Sequence, residues 1–556
     1  MRKLWKAGMV YVTIAAMLMG CGQAETDMQE KETTEESVQK EMGTQSGEKA
    51  PVEEAAPEAV AAVPGEVSLE GAVEILLSDT EITVNGETAP ADEAAAVYTA
   101  NDIVYYEAGK DFTYGEGTAE DEHTAEEAAS HTVVHITQAG TYVVSGKLSA
   151  GQIAIDLGDG AEENPEAVVT LILNGVDINC SVAPGVIFYE VYECGDKDNA
   201  TKDVDTSKAG ANVIIADGSV NNVTGSYVAR IYKSVELNEA QTAVVDSKKL
   251  HKYDAAFYSK MTMNVNGGAK GTGILNIQAE NEGLDSELHL TINGGNINIT
   301  AGNDGINTNE DGVSVTTVND GTLTILVDGA TGEGDGIDSN GWLVINGGTV
   351  ISSACAFSGD AGIDSDMGIH INGGTVAATG NMLDHIAESA QNYAVFAFAG
   401  RQLGGTTYTV KNTNGDAVGE WTPINDFTYL IISSPELVEG TYNVWANDKQ
   451  LAARTGGNGI GVRLGMGDQL PEGMTPPEGM EPPEGMTLPE GMTPPEGMEL
   501  PEGELPQGME RPQGDRMQQG QADGELSTEF EITAGGSYFS NVSAIVKMEL
   551  DKQLHN

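Results

Sequence analysis

"GEGDGIDSNGWLVINGGTV", residues 332–350, holds both of the marks that punctuate the middle of this chain. The second mark, Asn346-Gly347-Gly348, recurs as Asn266-Gly267-Gly268, Asn293-Gly294-Gly295, Asn319-Asp320-Gly321 and Asn372-Gly373-Gly374, at spacings of 27, 26, 27 and 26 residues. The first mark, Gly336-Ile337-Asp338-Ser339, recurs as Gly283-Leu284-Asp285-Ser286, Gly305-Ile306-Asn307-Thr308 and Gly362-Ile363-Asp364-Ser365. Between the marks apolar residues alternate. Leu343 and Ile345 do so here; Leu288, Leu290, Ile292, Ile297 and Ile299 do so earlier, and Ile369 and Ile371 later. A period of two means strands with one buried face. A fixed repeat of this length means stacked supersecondary units. No unit carries a helical pattern, so the expected fold is all-β: a right-handed, single-stranded parallel β-helix with one coil per repeat. A leucine-rich repeat would need its own Leu/Asn consensus, and a propeller blade would need a period of roughly 40 to 50 residues.

Stacking turns the motif into a geometry. Asp285, Asn307, Asp338 and Asp364 share one repeat position and should form a column. Glu282, Asp304 and Asp335 should form a second, one residue before the marker glycine. Equivalent positions on neighbouring coils lie roughly 4.8 Å apart. Carboxylates that close repel and raise each other's pKa. A divalent cation relieves this, and Ca2+ takes six to eight oxygen ligands of the kinds such turns supply. Asp285, Asn307, Asp338 and Asp364 are therefore the leading candidate ligands, followed by Asp304 and Asp335, with Asp366 a further one. Ala361 replaces the acid before the glycine in the last coil, although Asp360 is adjacent. Asp, Asn and Gly also build ordinary turns without metal. Neither an EF-hand loop nor a nine-residue calcium repeat occurs in the chain.

The flanks speak to location. The chain has 556 residues, with 27 basic against 86 acidic, a net charge of −59. That excludes nucleic acid as a partner, since binding it needs a basic footprint. Residues 1–21 have a short basic head, an apolar run from Ala7 to Met19, and Leu18-Met19-Gly20-Cys21. They read as a secretion signal ending in a lipobox, with Cys21 the lipidation site. The expected location is extracytoplasmic, tethered to the bacterial membrane. Residues 22–66 have few large apolar side chains and read as a disordered acidic linker. Residues 67–465 should form the β-helix. Residues 466–526 form a low-complexity insert in which Pro-Glu-Gly-Met recurs every six residues from Pro471. Residues 527–556 should close or cover the last coil. A secreted protein permits a disulfide, and Cys180 and Cys194 are the candidate pair, with free thiols the alternative. The oligomeric state is not legible.

No catalytic residue is assigned. A lyase acting on uronates needs a Lys or Arg base and a cation. No Lys or Arg occurs between Lys270 and Arg401, so the coils cannot supply the base. It would have to come from the flanks: Arg230, Lys233, Lys248, Lys249, Lys252, Lys260 or Lys270.

The "NGG" and "GIDSNG" coils, the leading "VVTLILNGVDI" (168–178) and "IFYEVYECG" (187–195) together resemble the bacterial carbohydrate-binding β-helix surface lipoproteins, which are similar in fold to calcium-dependent pectate lyases. The resemblance spans roughly residues 70 to 465 and the segment from about 527. It implies bound calcium and a plant-type polysaccharide ligand, polygalacturonate or cellulose. A polysaccharide lyase of the same architecture is the second reading. A cell-surface adhesin or scaffold is the third.

Overall fold

Each repeat lays down three short strands, and each strand pairs in parallel with its counterpart one repeat later. The structure, a computed structural model, describes residue 69 and residues 71–455 and 526–544. The expected signal sequence with Cys21, the expected linker and the Pro-Glu-Gly-Met insert lie outside the described residues. Among those described there are 36 strands, one five-residue α-helix and one 3-10 turn. The chain is all-β.

Three parallel ladders run along the repeats. The first joins Met263–Gly267, His289–Ile292, Val315–Val318, Trp342–Ile345 and Gly368–Ile371. The second joins Ile274–Ala279, Asn296–Ala301, Thr322–Val327, Thr349–Ser353 and Thr375–Gly380. The third joins Gly151–Asp156, Val186–Glu190, Ala255–Ser259, Glu282–Ser286, Ile306–Thr308 and Ile337–Ser339. The alternation read from the sequence sets which side chains face inward. Leu290, Ile292, Ile297, Ile299, Leu343, Ile345, Ile369 and Ile371 all lie in one core, with Leu284, Ile306 and Ile337 from the third ladder and Ile363 from the turn that follows it. Each fully buried Leu or Ile contributes about 1.5–3 kcal/mol relative to exposure.

The two marks hold the coils in register by different means. The Asn of each Asn-Gly-Gly turn donates its Nδ2 to the Asn Oδ1 one repeat earlier. The distances are 3.0 Å for Asn293 to Asn266, 2.9 Å for Asn319 to Asn293, 2.9 Å for Asn346 to Asn319 and 3.0 Å for Asn372 to Asn346. Replacing Asn319 by Ala removes two of these bonds and leaves an acceptor and a donor unpaired. The expected loss is about 1–2 kcal/mol, read as a lowered midpoint in thermal unfolding. An unchanged midpoint would show that the Asn column is not stabilising. The marker glycines act by size. A Cβ on Gly336 would lie 1.8 Å from Ser352 Oγ and 2.3 Å from the Gly362 carbonyl, so neighbouring coils pack against the bare backbone.

The sequence reading carries the coils on to residue 465, but the last strand of the three parallel ladders ends at Gly380, followed by a single parallel bridge of Ile386 to Ile369. Phe427–Ser433 pairs antiparallel with Thr375–Gly380 and covers the last edge of the second ladder. Beyond it, a set of mostly antiparallel strands has its own core, which includes Phe396, Tyr408, Phe427, Phe530 and Phe539. In "NYAVFAFAG" (392–400), Phe396 and Phe398 belong with this second core, while Tyr393 packs in the first. Gly536–Ala544, from beyond the insert, returns to pair with Tyr393–Gln402. Covered edges do not recruit other chains.

A candidate cation centre on the third ladder

The third ladder stacks the acids as the repeat predicts. Asp285 is in register with Asn307, and Asn307 with Asp338. Asp364 follows without being in a strand, its amide donating to the Ile337 carbonyl at 2.7 Å. Gly283 and Gly305 donate to the carbonyls of Asp304 and Asp335, both at 3.0 Å, which places the second column beside the first.

Along this column the structure separates two environments. At its upper end Asp254, Glu282 and Asp285 converge, one carboxylate oxygen from each lying within 4.8 Å of the other two. All three are buried, Asp285 completely. Asn309 Nδ2 donates to both Asp285 oxygens at 2.9 and 3.0 Å. Asn307 Nδ2 donates to Glu282 Oε1 at 3.2 Å and to Asn309 Oδ1 at 3.0 Å. Glu282 Oε2 and Asn307 Oδ1 remain buried with no partner among the described residues. A buried acceptor left unpaired is costly, and a buried unpaired charge more so. One cation of the chain is at hand: Lys252 Nζ lies 2.6 Å from Asp254 Oδ2. Even so, burial, then the Asp285 and Asp254 charges, push the Glu282 carboxyl well above the usual range. Burial, then Asp254 and Glu287, do the same to Asp285. Burial outweighs Lys252 at Asp254, whose pKa is also raised. Three carboxylates against one ammonium leave the group short of positive charge, which protons or a divalent cation can supply.

Lower down, the acids are more open and some are already used. Asp304 Oδ1 accepts the Asp335 amide at 2.6 Å, and Asp335 Oδ1 accepts the Ala361 amide at 2.5 Å. These two carboxylates tie coil to coil. Asp338 is raised to about 6 by burial, then by Asp366 and Asp384. Asp364 is raised to about 8 by burial, then by Asp384 and Asp338. Asp366 is exposed. Asp384, which the repeat does not predict, joins from the turn after the last coil, accepting the Ser365 amide at 3.1 Å.

A family model of carbohydrate-binding domain-containing proteins matches residues 130–419, more than half of the chain. The chain belongs to the carbohydrate-binding domain-containing family. The matched region contains the three ladders, the buried triad and the lower acids. No curated protein matches the chain. Among solved structures, the polysaccharide lyase-like protein from C. thermocellum, in a gadolinium derivative, is 18% identical. That alignment covers 57% of this chain and 92% of that one, with a TM-score of 0.31.

Within this carbohydrate-binding region, Asp254 is the triad member that sequence reading passed over. It precedes "AAFYS" (255–259), which lacks the Gly-x-Asp-Ser mark, so the repeat gave no flag. The signal that remained was spacing: Ser259 stacks on Ser286 and Tyr258 on Asp285, one coil earlier. Glu282 was visible as a column member but not as a ligand. The aromatics Tyr253, Phe257, Tyr258, Phe188 and Phe396 are buried packing. Phe357, by contrast, faces solvent and is 71% exposed, with the Arg401 guanidinium 5.8 Å from its ring.

The Cys180–Cys194 pairing is not made: Cys180, Cys194 and Cys355 are all free thiols. Cys180 ends its strand inside a small core with Val182 and Ile187. Cys194 lies past Val186–Glu190, an extended strand about 16 Å long that carries the chain away from Cys180.

Proposed function

We propose that this protein is a lipid-anchored, extracytoplasmic, non-catalytic carbohydrate-binding protein, built as a right-handed single-stranded parallel β-helix and stabilised by Ca2+. Its ligand is a plant-type polysaccharide, polygalacturonate or cellulose. Membership of the carbohydrate-binding family over residues 130–419 carries the reading. The lipobox ending at Cys21 supports the anchor and the location.

Calcium is supported by the upper group of acids. Asp254, Glu282 and Asp285 would hold the ion, with the unpartnered Asn307 Oδ1 beside them. These are hard oxygen donors, the set that calcium prefers. When bound, the ion would neutralise the buried carboxylates and give Glu282 Oε2 the partner it lacks. Water and backbone carbonyls would complete its shell.

A lyase reading gains one observation and loses it again. The fold brings Lys252 back to the acids, where a base would be wanted. Burial lowers the pKa of Lys252, but Asp254, Glu282 and Asp285 outweigh it and hold the side chain as an ammonium. A general base must be neutral to take a proton.

The test uses the full-length chain, in detergent, on immobilised polygalacturonate and on cellulose, with and without chelator. Retention on polygalacturonate that chelator abolishes is expected, with no ultraviolet-absorbing unsaturated product. Product release would replace this reading with the lyase. Failure to bind any glycan across a broad panel would leave only the adhesin or scaffold.

A further inference from the structure

The connection between the second and third ladders is short in most coils: residues 280–281, then 302–305, then 328–336. In one coil it is residues 226–254, and these form an antiparallel hairpin of Val228–Leu237 and Val244–Tyr253 that pairs with neither large sheet. The hairpin is anchored at its base. Glu116 and Tyr232 exchange backbone bonds with Arg230 and Tyr114 across the junction, at 2.9 and 2.8 Å. Tyr253 packs edge-on against Tyr189 and Tyr258. Its last residue leads into Asp254, so the base of the hairpin adjoins the triad.

Its charge is opposite to that of the rest of the chain. Arg230, Lys233, Lys248, Lys249 and Lys252 sit in its half nearest the coils, while residues 271–400 contain no Lys or Arg at all. Glu236, Glu239 and Asp246 are confined to the distal half. Three of the five cations are engaged. Arg230 pairs with Glu116 at 3.3 Å, Lys249 with Glu287 at 3.0 Å and Lys252 with Asp254 at 2.6 Å. Lys233 and Lys248 are exposed, and neither makes an ion pair among the described residues. They are neighbours in register: Lys233 occupies the bulge between the Tyr232–Lys249 and Ser234–Lys248 pairs. Leu250, 48% exposed, lies alongside.

We propose that the proximal half of this hairpin is a cationic rail for the carboxylates of an acidic glycan, with Lys233 and Lys248 as its contact residues. The proposal rests on the carbohydrate-binding reading above and names the ligand class as a uronate-bearing chain. A protein of charge −59 repels a polyanion. Two unpaired ammonium groups held on a paired-strand arm offset that repulsion locally and steer the chain to one place. An exposed leucine beside them offers apolar surface to the C–H face of a pyranose. An uncharged glucan gains nothing from the lysines.

The experiment compares full-length wild type, Lys233→Gln/Lys248→Gln, and Lys208→Gln/Lys449→Gln, a control with the same change in net charge. Each is titrated with polygalacturonate, an uncharged glucan and inorganic polyphosphate, and each is melted. The hairpin variant should lose roughly threefold to tenfold in affinity for polygalacturonate, the effect shrinking at high salt, while its melting midpoint and any glucan binding stay unchanged. The control should bind as wild type does. Equal polygalacturonate affinity in wild type and hairpin variant, or an equal loss in the control, overturns the rail and leaves the carbohydrate-binding reading standing. So does a wild type that binds glucan but not polygalacturonate. Polyphosphate binding as tight as polygalacturonate overturns the uronate assignment. A wild type that binds no glycan overturns both readings.

Discussion

Calcium should raise the thermal midpoint of this protein by roughly 5 °C at pH 8 and by almost nothing at pH 5, the size expected of one or two ions well above their dissociation constants. The asymmetry follows from the carboxyls on the third ladder. Asp338 is raised to about 6, and Asp304 and Asp364 to about 8, from an ordinary value near 3.8. Burial is the first cause in each case, followed by neighbouring carboxylates. A group whose folded pKa is raised favours the fold in its protonated form. Its contribution is complete below about pH 4, where folded and unfolded chains are both protonated, and is lost as pH rises through 6 to 8. The metal-free protein should therefore weaken steadily from pH 5 to pH 8. Carboxylates with lowered pKa, such as Asp217, are ionised throughout this window and do not oppose the trend. The proposed ligands Asp254, Glu282 and Asp285 also have raised pKa values, so calcium should compete with protons there and its benefit should grow as the protons leave. Scanning calorimetry at both pH values, with calcium or with chelator, measures all four midpoints. A calcium gain equal at the two pH values, or a metal-free protein that stabilises towards pH 8, would contradict the assignment.

Register and burial were legible in the sequence because the repeat imposes them. A side chain that alternates on a strand must face in or out, and stacking at a fixed period carries that choice from coil to coil. Ile297, Ile325 and Ile345 face inward for that reason. The column Asp285–Asn307–Asp338 was legible on the same ground. What the repeat could not reveal was anything outside its own period. Asp254 arrives from the base of an inserted hairpin, and its carboxylate reaches the column from a coil whose mark reads Ala-Phe-Tyr-Ser. Lys252 arrives the same way. The period also could not distinguish carboxylates with different duties. Asp304 and Asp335 share a column with Glu282, yet they bind backbone amides of the next coil, whereas Glu282 keeps an oxygen without a partner. The end of the coils was equally hidden. Alternation continues through "YAVFAF", but antiparallel pairing continues a period of two as well as parallel pairing does.

Replacing Asp285 by Asn should have opposite effects with and without calcium. In the metal-free protein at pH 8 the substitution removes one of three buried carboxylates that repel one another. The new amide oxygen still accepts from Asn309 Nδ2, which donates to Asp285 at 2.9 Å. The metal-free midpoint should therefore rise by a few degrees, roughly what relief of one buried charge supplies. With calcium the same change removes a charged ligand, and calcium affinity depends on how many charged ligands surround the ion. The concentration needed for half of the thermal shift should rise at least about tenfold, or the shift should vanish. Asp320→Asn is the matched control. It changes an exposed acid on the Asn319-Asp320-Gly321 turn, away from the triad, to its uncharged isostere, and it should leave the calcium response unaltered. The two signs together distinguish the alternatives. If Asp285 served only as a turn former, Asn would substitute for it and neither midpoint would move. If it were a structural acid stabilised by its own hydrogen bonds, the metal-free midpoint would fall and the calcium shift would survive. Only a carboxylate that is a liability to the empty fold and a ligand to the filled one gives a rise in the first condition and a loss in the second.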